Sequence, residues 1–187
     1  MRRTRSTGIA AVCVLALAAA GCGGGGGRTA TRTTTPAAAH LRLWSPAFVD
    51  GGTIPTRFTC SGEGAAPPLR WSGVPPGTRE LALTVEDPDA PGGRFVHWVV
   101  LGLSPRLGGI PEGTKPATLR LGRSSSGKVG YEPPCPPAGG GPHRYVFTLF
   151  ALRRPLAASY GASVEEVRRE MSGAVVGLGR LVGRFGR

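Results

Sequence analysis

Three apolar runs limit what this chain can fold into: ELALTVEDP at 80–88, RFVHWVVLGL at 94–103 and HRYVFTLFAL at 143–152. Each is rich in β-branched and aromatic residues and is bounded by Pro and Gly clusters, which predicts strands. They are nearly continuous in apolar residues, as strands are when a packed pair of sheets covers both their faces or nearly so. TRFTC near Arg57 and LRW near Trp71 are shorter strand candidates, and the proline-bracketed GVPPGT at 73–78 is a turn. The 31 glycines and 18 prolines among 187 residues favour turns and short strands over long helices. The expectation is a mostly β domain over residues 41–187, of ordinary single-domain size.

One helix is predicted near the C-terminus. Ser163 and Glu166 form an S-x-x-E capping box, followed by Val164, Val167, Met171 and Ala174 at helical spacing, with Glu165, Arg168 and Arg169 on the other side. Such a stripe reads as core packing. The closing GLGRLVGRF at 177–185 could continue that helix or form a last edge strand, and its three glycines favour the strand.

The first 21 residues read as an export signal. Arg2, Arg3 and Arg5 precede thirteen uncharged residues at 8–20, shorter than the ~20 of a spanning helix. The run ends in LAAAGC, which resembles the lipobox of bacterial lipoproteins, so Cys22 is the expected lipidation site; release as a secreted soluble protein is the alternative. Residues 22–40, beginning CGGGGG and then Thr-rich, read as a lipidated cysteine and flexible tether, of end-to-end length about 20–25 Å. That glycine run is no phosphate loop, since it lacks the strand before and the helix after. No cofactor is expected.

With Cys13 and Cys22 assigned to the N-terminal segment, Cys60 and Cys135 remain, and in an oxidising compartment they could pair or stay as two buried thiols. The chain is basic, with formal net charge +12 and only two lysines, Lys115 and Lys128. Such an exported domain is drawn toward anionic lipid or cell-wall polymers. Nucleic acid is not an expected partner, because the arginines are scattered and no aromatic-interleaved basic motif occurs.

The chemistry-bearing residues cluster at strand ends. Asp87 and Asp89 sit in EDPDAP, where Pro88 and Pro91 fix the backbone. His97 follows in the next strand, with Val96 and Trp98 expected on the opposite face, and His143 and Tyr145, two apart, share a face. If these strands are neighbours, two carboxylates, two imidazoles and a phenol converge beside the loop YEPPCPPAGGGP at 131–142. Read one by one, Asp87 and Asp89 could simply cap a turn, and His97 and Tyr145 could be hydrogen-bonded core residues. A metal site is not expected, as no close His spacing supports one.

LTVEDPDAPGGRFVHWVVLGL and PPCPPAGGGPHRYVFTLFAL resemble the two signature segments of the phosphatidylethanolamine-binding protein family, in particular its bacterial Raf-kinase-inhibitor-like branch. The likeness extends over about residues 45–185. It implies two antiparallel sheets packed together with a C-terminal helix, and a small cavity for phosphate-bearing head groups or other small anions. Lining residues would be Asp87, Asp89, Pro91, His97, Pro136, Pro137, His143 and Tyr145, with the Pro-Gly loop forming a rigid rim whose backbone N–H groups face the anion. Pro133 stands where such bacterial sequences have Gly, and Ser124 where Asn is common. Kinase inhibition in the animal members depends on a wider surface and does not carry over.

Two carboxylates repel a phosphate unless protons intervene, so His97 and His143 are the expected proton sources, with binding tighter at lower pH. The favoured reading is a membrane-tethered module binding a small anion or phospholipid head group. One alternative is an interaction protein inhibiting a protease or kinase. The other is a hydrolase with His143 as base and Asp87 orienting it, against which stands the lack of a G-x-S-x-G nucleophile motif; Cys135 is the candidate nucleophile unless it is bonded to Cys60.

Overall fold

The computed structural model describes residues 39–187 apart from 116 and 118. The export signal, Cys22 and all but the last two residues of the tether lie outside the described residues. In chain order the elements are β1 (Ala39–His40), β2 (Arg42–Trp44), a 3-10 turn (Thr56–Phe58), β3 (Leu69–Ser72), β4 (Glu80–Asp87), β5 (Phe95–Leu103), β6 (Gly109–Ile110), β7 (Arg120–Leu121), β8 (His143–Leu152), α1 (Val164–Met171) and β9 (Val175–Phe185). They form a six-stranded sheet in the order β1-β9-β8-β4-β5-β7 and a three-stranded sheet β2-β3-β6. Every pairing is antiparallel except β1 with β9.

The three apolar runs make the middle of the large sheet, and their two faces feed two cores. Leu81, Leu83 and Val85 of β4 pack with Phe147, Leu149 and the small sheet's Leu43, Trp71 and Ile110. Ala82 of β4, with Val99 and Leu101 of β5, packs instead against Val164, Val167 and Met171 of α1. Fully burying each of these α1 side chains is worth about 1.5–3 kcal/mol, which offsets the poor intrinsic stability of so short a helix. Ser163 caps it, its hydroxyl accepting from the Glu166 amide at 3.2 Å. Ala174 is buried in the same core but lies beyond the helix, which ends at Met171.

Coverage of both faces holds for β4 and β5 and not for β8. Its residues alternate, with Tyr145, Phe147 and Leu149 buried, Val146, Thr148 and Phe150 half-buried and Arg144 exposed. The eight residues of α1 extend only about 12 Å, too little to roof the whole sheet.

Two local expectations change. TRFTC is no strand: the Phe58 amide donates to the Pro55 carbonyl, while the Thr59 hydroxyl folds back onto the Thr56 carbonyl, and these local bonds compete with a ladder. The glycine-rich terminus is the strand that its glycines favoured, β9, paired with β8 along its length, but it is not the edge, since β1 lies beyond it. A Cβ at Gly183 would collide with Ile54 and Phe48, so glycine there admits the loop that crosses β9. The paired structure also begins at Ala39, two residues before the boundary read from the sequence.

Candidate functional site

β4, β5 and β8 are adjacent, so their ends converge as the sequence suggests. Asp87 closes β4 and is buried. Its Oδ1 accepts the Asp89 amide at 2.8 Å, the turn that Asp-Pro sequences favour, and its Oδ2 lies 2.7 Å from His143 Nδ1. The imidazole therefore donates Nδ1–H to the carboxylate, and no described hydrogen bond uses its Nε2.

His97 sits on a bulge. Val85 pairs with Trp98 but Glu86 with Val96, so His97 is the extra residue of β5. This corrects the expected alternation: Trp98 packs in the same inter-sheet core as Tyr145, whose ring meets the His97 ring edge-on at 5.2 Å, and only Val96 faces the α1 side. His97 Nδ1 lies 2.9 Å from the Glu132 carbonyl, which can only accept, so Nδ1 carries the proton and Nε2 of the neutral ring is an acceptor. Burial lowers the pKa of His97 below its ordinary value, although the Glu132 carbonyl and the Asp87 charge pull the other way.

Tyr145 is fully buried, and its hydroxyl has no hydrogen-bond partner. Burial, followed by the charges of Asp87 and Asp89, pushes its phenol far up, so it stays a proton donor. These groups bound a cavity of about 250 Å³ together with Pro91, Phe95, Pro133, Cys135, Pro136 and Pro137.

The rim differs from expectation in two respects. Asp89 does not line the cavity; it turns outward and is gripped by Arg144, whose Nε and Nη2 lie 2.8 and 2.6 Å from its two oxygens. That guanidinium holds the Asp89 carboxyl at about 2. Nor does the Pro-Gly loop offer all the expected backbone donors, since from Pro133 to Pro142 only the amides of Cys135, Ala138 and Gly141 are left without a described backbone hydrogen bond. Prolines have no N–H, and the amides of Gly139 and Gly140 bond the carbonyls of Arg187 and Pro137. The loop is instead fastened: Cys135 is disulfide-bonded to Cys60 with Cα atoms 5.3 Å apart, and Arg187 Nε donates to the Pro136 carbonyl at 2.8 Å. The bond removes Cys135 as a nucleophile. Ser124 lies off the cavity, its hydroxyl 3.0 Å from that of Ser126.

Phe95, Glu132, Arg144 and Arg187 were missed. Arg144 follows His143 and must point to the opposite face, a placement legible from period two; Glu132 acts through its carbonyl, which no side-chain pattern marks. Among the described residues no three His, Cys, Asp or Glu could hold a metal, and no helix is long and apolar enough to cross a membrane.

Residues 44–186 match the family model for phosphatidylethanolamine-binding protein. The Mycobacterium tuberculosis protein named "Putative lipoprotein LppC" is 47% identical over 150 residues, covering 80% of this chain and 74% of that protein. The crystal structure of CT736 from Chlamydia trachomatis, described as a homologue of that binding protein, superposes with a TM-score of 0.75 at 36% identity, covering 79% of this chain and 98% of the other. Escherichia coli YbcL, described as a new member of the mammalian family, gives 0.73 at 29% identity over 80% and 99% of the two chains.

Proposed function

The chain belongs to the phosphatidylethanolamine-binding protein family, and from that premise we propose that its cavity binds a phosphate-bearing head group or similar small anion. The observation that carries this is the Tyr145 hydroxyl, a fully buried donor with no partner at the wall of a cavity. An unmet buried donor costs about 1–3 kcal/mol, which a ligand oxygen would relieve.

The neighbouring groups sharpen the ligand. His143, with Nδ1–H held by Asp87, presents Nε2–H when protonated, and the carboxylate balances its charge. Neutral His97 presents an acceptor. Two donors and one acceptor complement a phosphate monoester that keeps one proton, whose P–OH donates to His97 while its other oxygens accept from Tyr145 and His143. The monoprotonated form gains population as pH falls toward its second pKa of about 6, so binding tightens from about pH 8 to about pH 6. The carboxylate repulsion expected from the sequence is halved, because Asp89 faces away and pairs with Arg144.

The domain is held at the outer face of a bacterial membrane by lipid on Cys22, a reading supported by the LAAAGC motif and by the name of the 47% identical relative. Palmitate-analogue labelling that vanishes in Cys22→Ala tests the anchor. The cavity is tested by NMR of the His97 and His143 side chains during titration with inorganic phosphate, phosphoethanolamine and a short-chain phosphatidylethanolamine. Joint, saturable shifts are expected. Silence of both imidazoles toward all three overturns the cavity reading and turns attention to protein partners of the rim.

A further inference from the structure

The sheet face that α1 leaves open carries a second constellation, remote in composition from the cavity. Register fixes its outward pairs: Phe150 opposite Leu178, Thr148 opposite Arg180, Val146 opposite Val182 and Arg144 opposite Arg184. Like charges directly opposite each other destabilise a sheet, yet Arg144 and Arg184 are so placed. A shallow trough of about 400 Å³ runs over this face, floored by Val146, Phe150 and Leu178 and walled by Arg94, Arg144, Arg168 and Arg180.

Part of this charge is answered within the fold. Glu86 pairs with Arg94 at 2.9 Å and Arg168 at 2.8 Å, Asp89 holds Arg144, and Asp50 accepts the Val182 amide at the margin. Arg180 and Arg184 are exposed and make no side-chain ion pair among the described residues. The face stays net positive around an apolar floor.

We propose that this trough docks the domain on an anionic phospholipid surface, with lipid phosphates between the arginines and the glycerol region over Val146, Phe150 and Leu178. An extended acidic peptide fits less well, because the site is a sheet face with no free backbone groups. The edge of β9 is itself taken, by β1 and by the amides of Gly51 and Ile54, which donate to Val182 and Arg184. Placement of the chain's entry favours the membrane: His40 pairs with Leu178, on the trough's own floor. On the lipid-anchor reading, the anchored segment thus joins the domain beside this trough, which favours presenting this face to the bilayer. The orientation rests on the lipid-anchor reading; the charge pattern does not.

The test is arginine footprinting of the full chain with phenylglyoxal, read by mass spectrometry, after flotation with vesicles of phosphatidylcholine alone or with about one third phosphatidylglycerol. On the anionic vesicles Arg180 and Arg184 should react on the order of tenfold more slowly, while exposed Arg70 and Arg106 keep their rates. About 0.5 M salt should restore reactivity, and Arg180→Glu with Arg184→Glu should abolish the protection of Arg94 and Arg168. Flotation only with anionic vesicles, with this footprint, sinks the anchor and keeps the docking face. Flotation with both vesicles but without protection keeps the anchor and overturns docking. Flotation with neither, protection of Arg70 and Arg106 instead, or protection by polyglutamate but not by phosphatidylglycerol also overturns it.

Discussion

Tyr145→Phe should raise the stability of the empty protein and lower its affinity for ligand, a pair of opposite effects that few substitutions produce. The ring stays in the inter-sheet core beside Phe147, so packing is conserved and only one oxygen is lost. That oxygen is buried without a partner. Folding therefore desolvates a hydroxyl for no return, at about 1–3 kcal/mol; at the lower end, the variant gains about 1 kcal/mol and melts about 2–4 °C higher. When a phosphate-bearing ligand is bound, the same hydroxyl donates to an anionic oxygen. Losing a hydrogen bond to a charged group removes about 1.5–3 kcal/mol, so affinity falls about ten- to hundredfold. Thermal melts in phosphate-free buffer and calorimetric titration with phosphoethanolamine read the two effects separately. A variant that melts lower without ligand shows that the hydroxyl has a partner in the empty protein. A variant that binds as tightly as the parent removes Tyr145 from the ligand's contacts. Either result refutes the argument from the unmet donor.

Three further outcomes follow from the geometry. Asp89, held at about 2 by Arg144, binds its proton later than an unfolded aspartate at 3.8, so its stabilisation is present above about pH 4 and is lost as pH falls toward 2; in pH-dependent melts Arg144→Ala should be less stable than the parent above about pH 4, decline less steeply below it and converge with the parent near pH 2. His97 has the same sign in a higher pH range: its pKa lies below 6.5, so the unfolded chain takes up the proton first, and stability, complete above about pH 6.5, declines as pH drops through that value. His97→Asn should flatten this slope in denaturant titrations. Replacing Cys60 and Cys135 together by Ser opens a bridge between residues 75 apart and should cost up to about 4 kcal/mol, with faster amide exchange across residues 133–139 as the rim loosens.

The sequence made the large sheet legible because β4, β5 and β8 announce themselves by composition alone, as apolar, β-rich runs between Pro and Gly clusters. It made most of the cavity legible for the same reason: Asp87, His143 and Tyr145 stand at strand ends that adjacency must bring together. What escaped it depends on events that no local pattern encodes. Period two places Trp98 opposite His97, and only the bulge against β4, visible in the pairing of two strands at once, turns both toward one core. Asp89 and Asp87 look equivalent in EDPDAP, yet the competition for them is settled from β8, where adjacent residues point to opposite faces: His143 takes the inner carboxylate and Arg144 the outer. One carboxylate is thereby left to tune the cavity while the other secures its rim. The same alternation along β8, continued by β9, separates the two surfaces, since Tyr145 turns into the cavity and Val146, Thr148 and Phe150 into the basic trough.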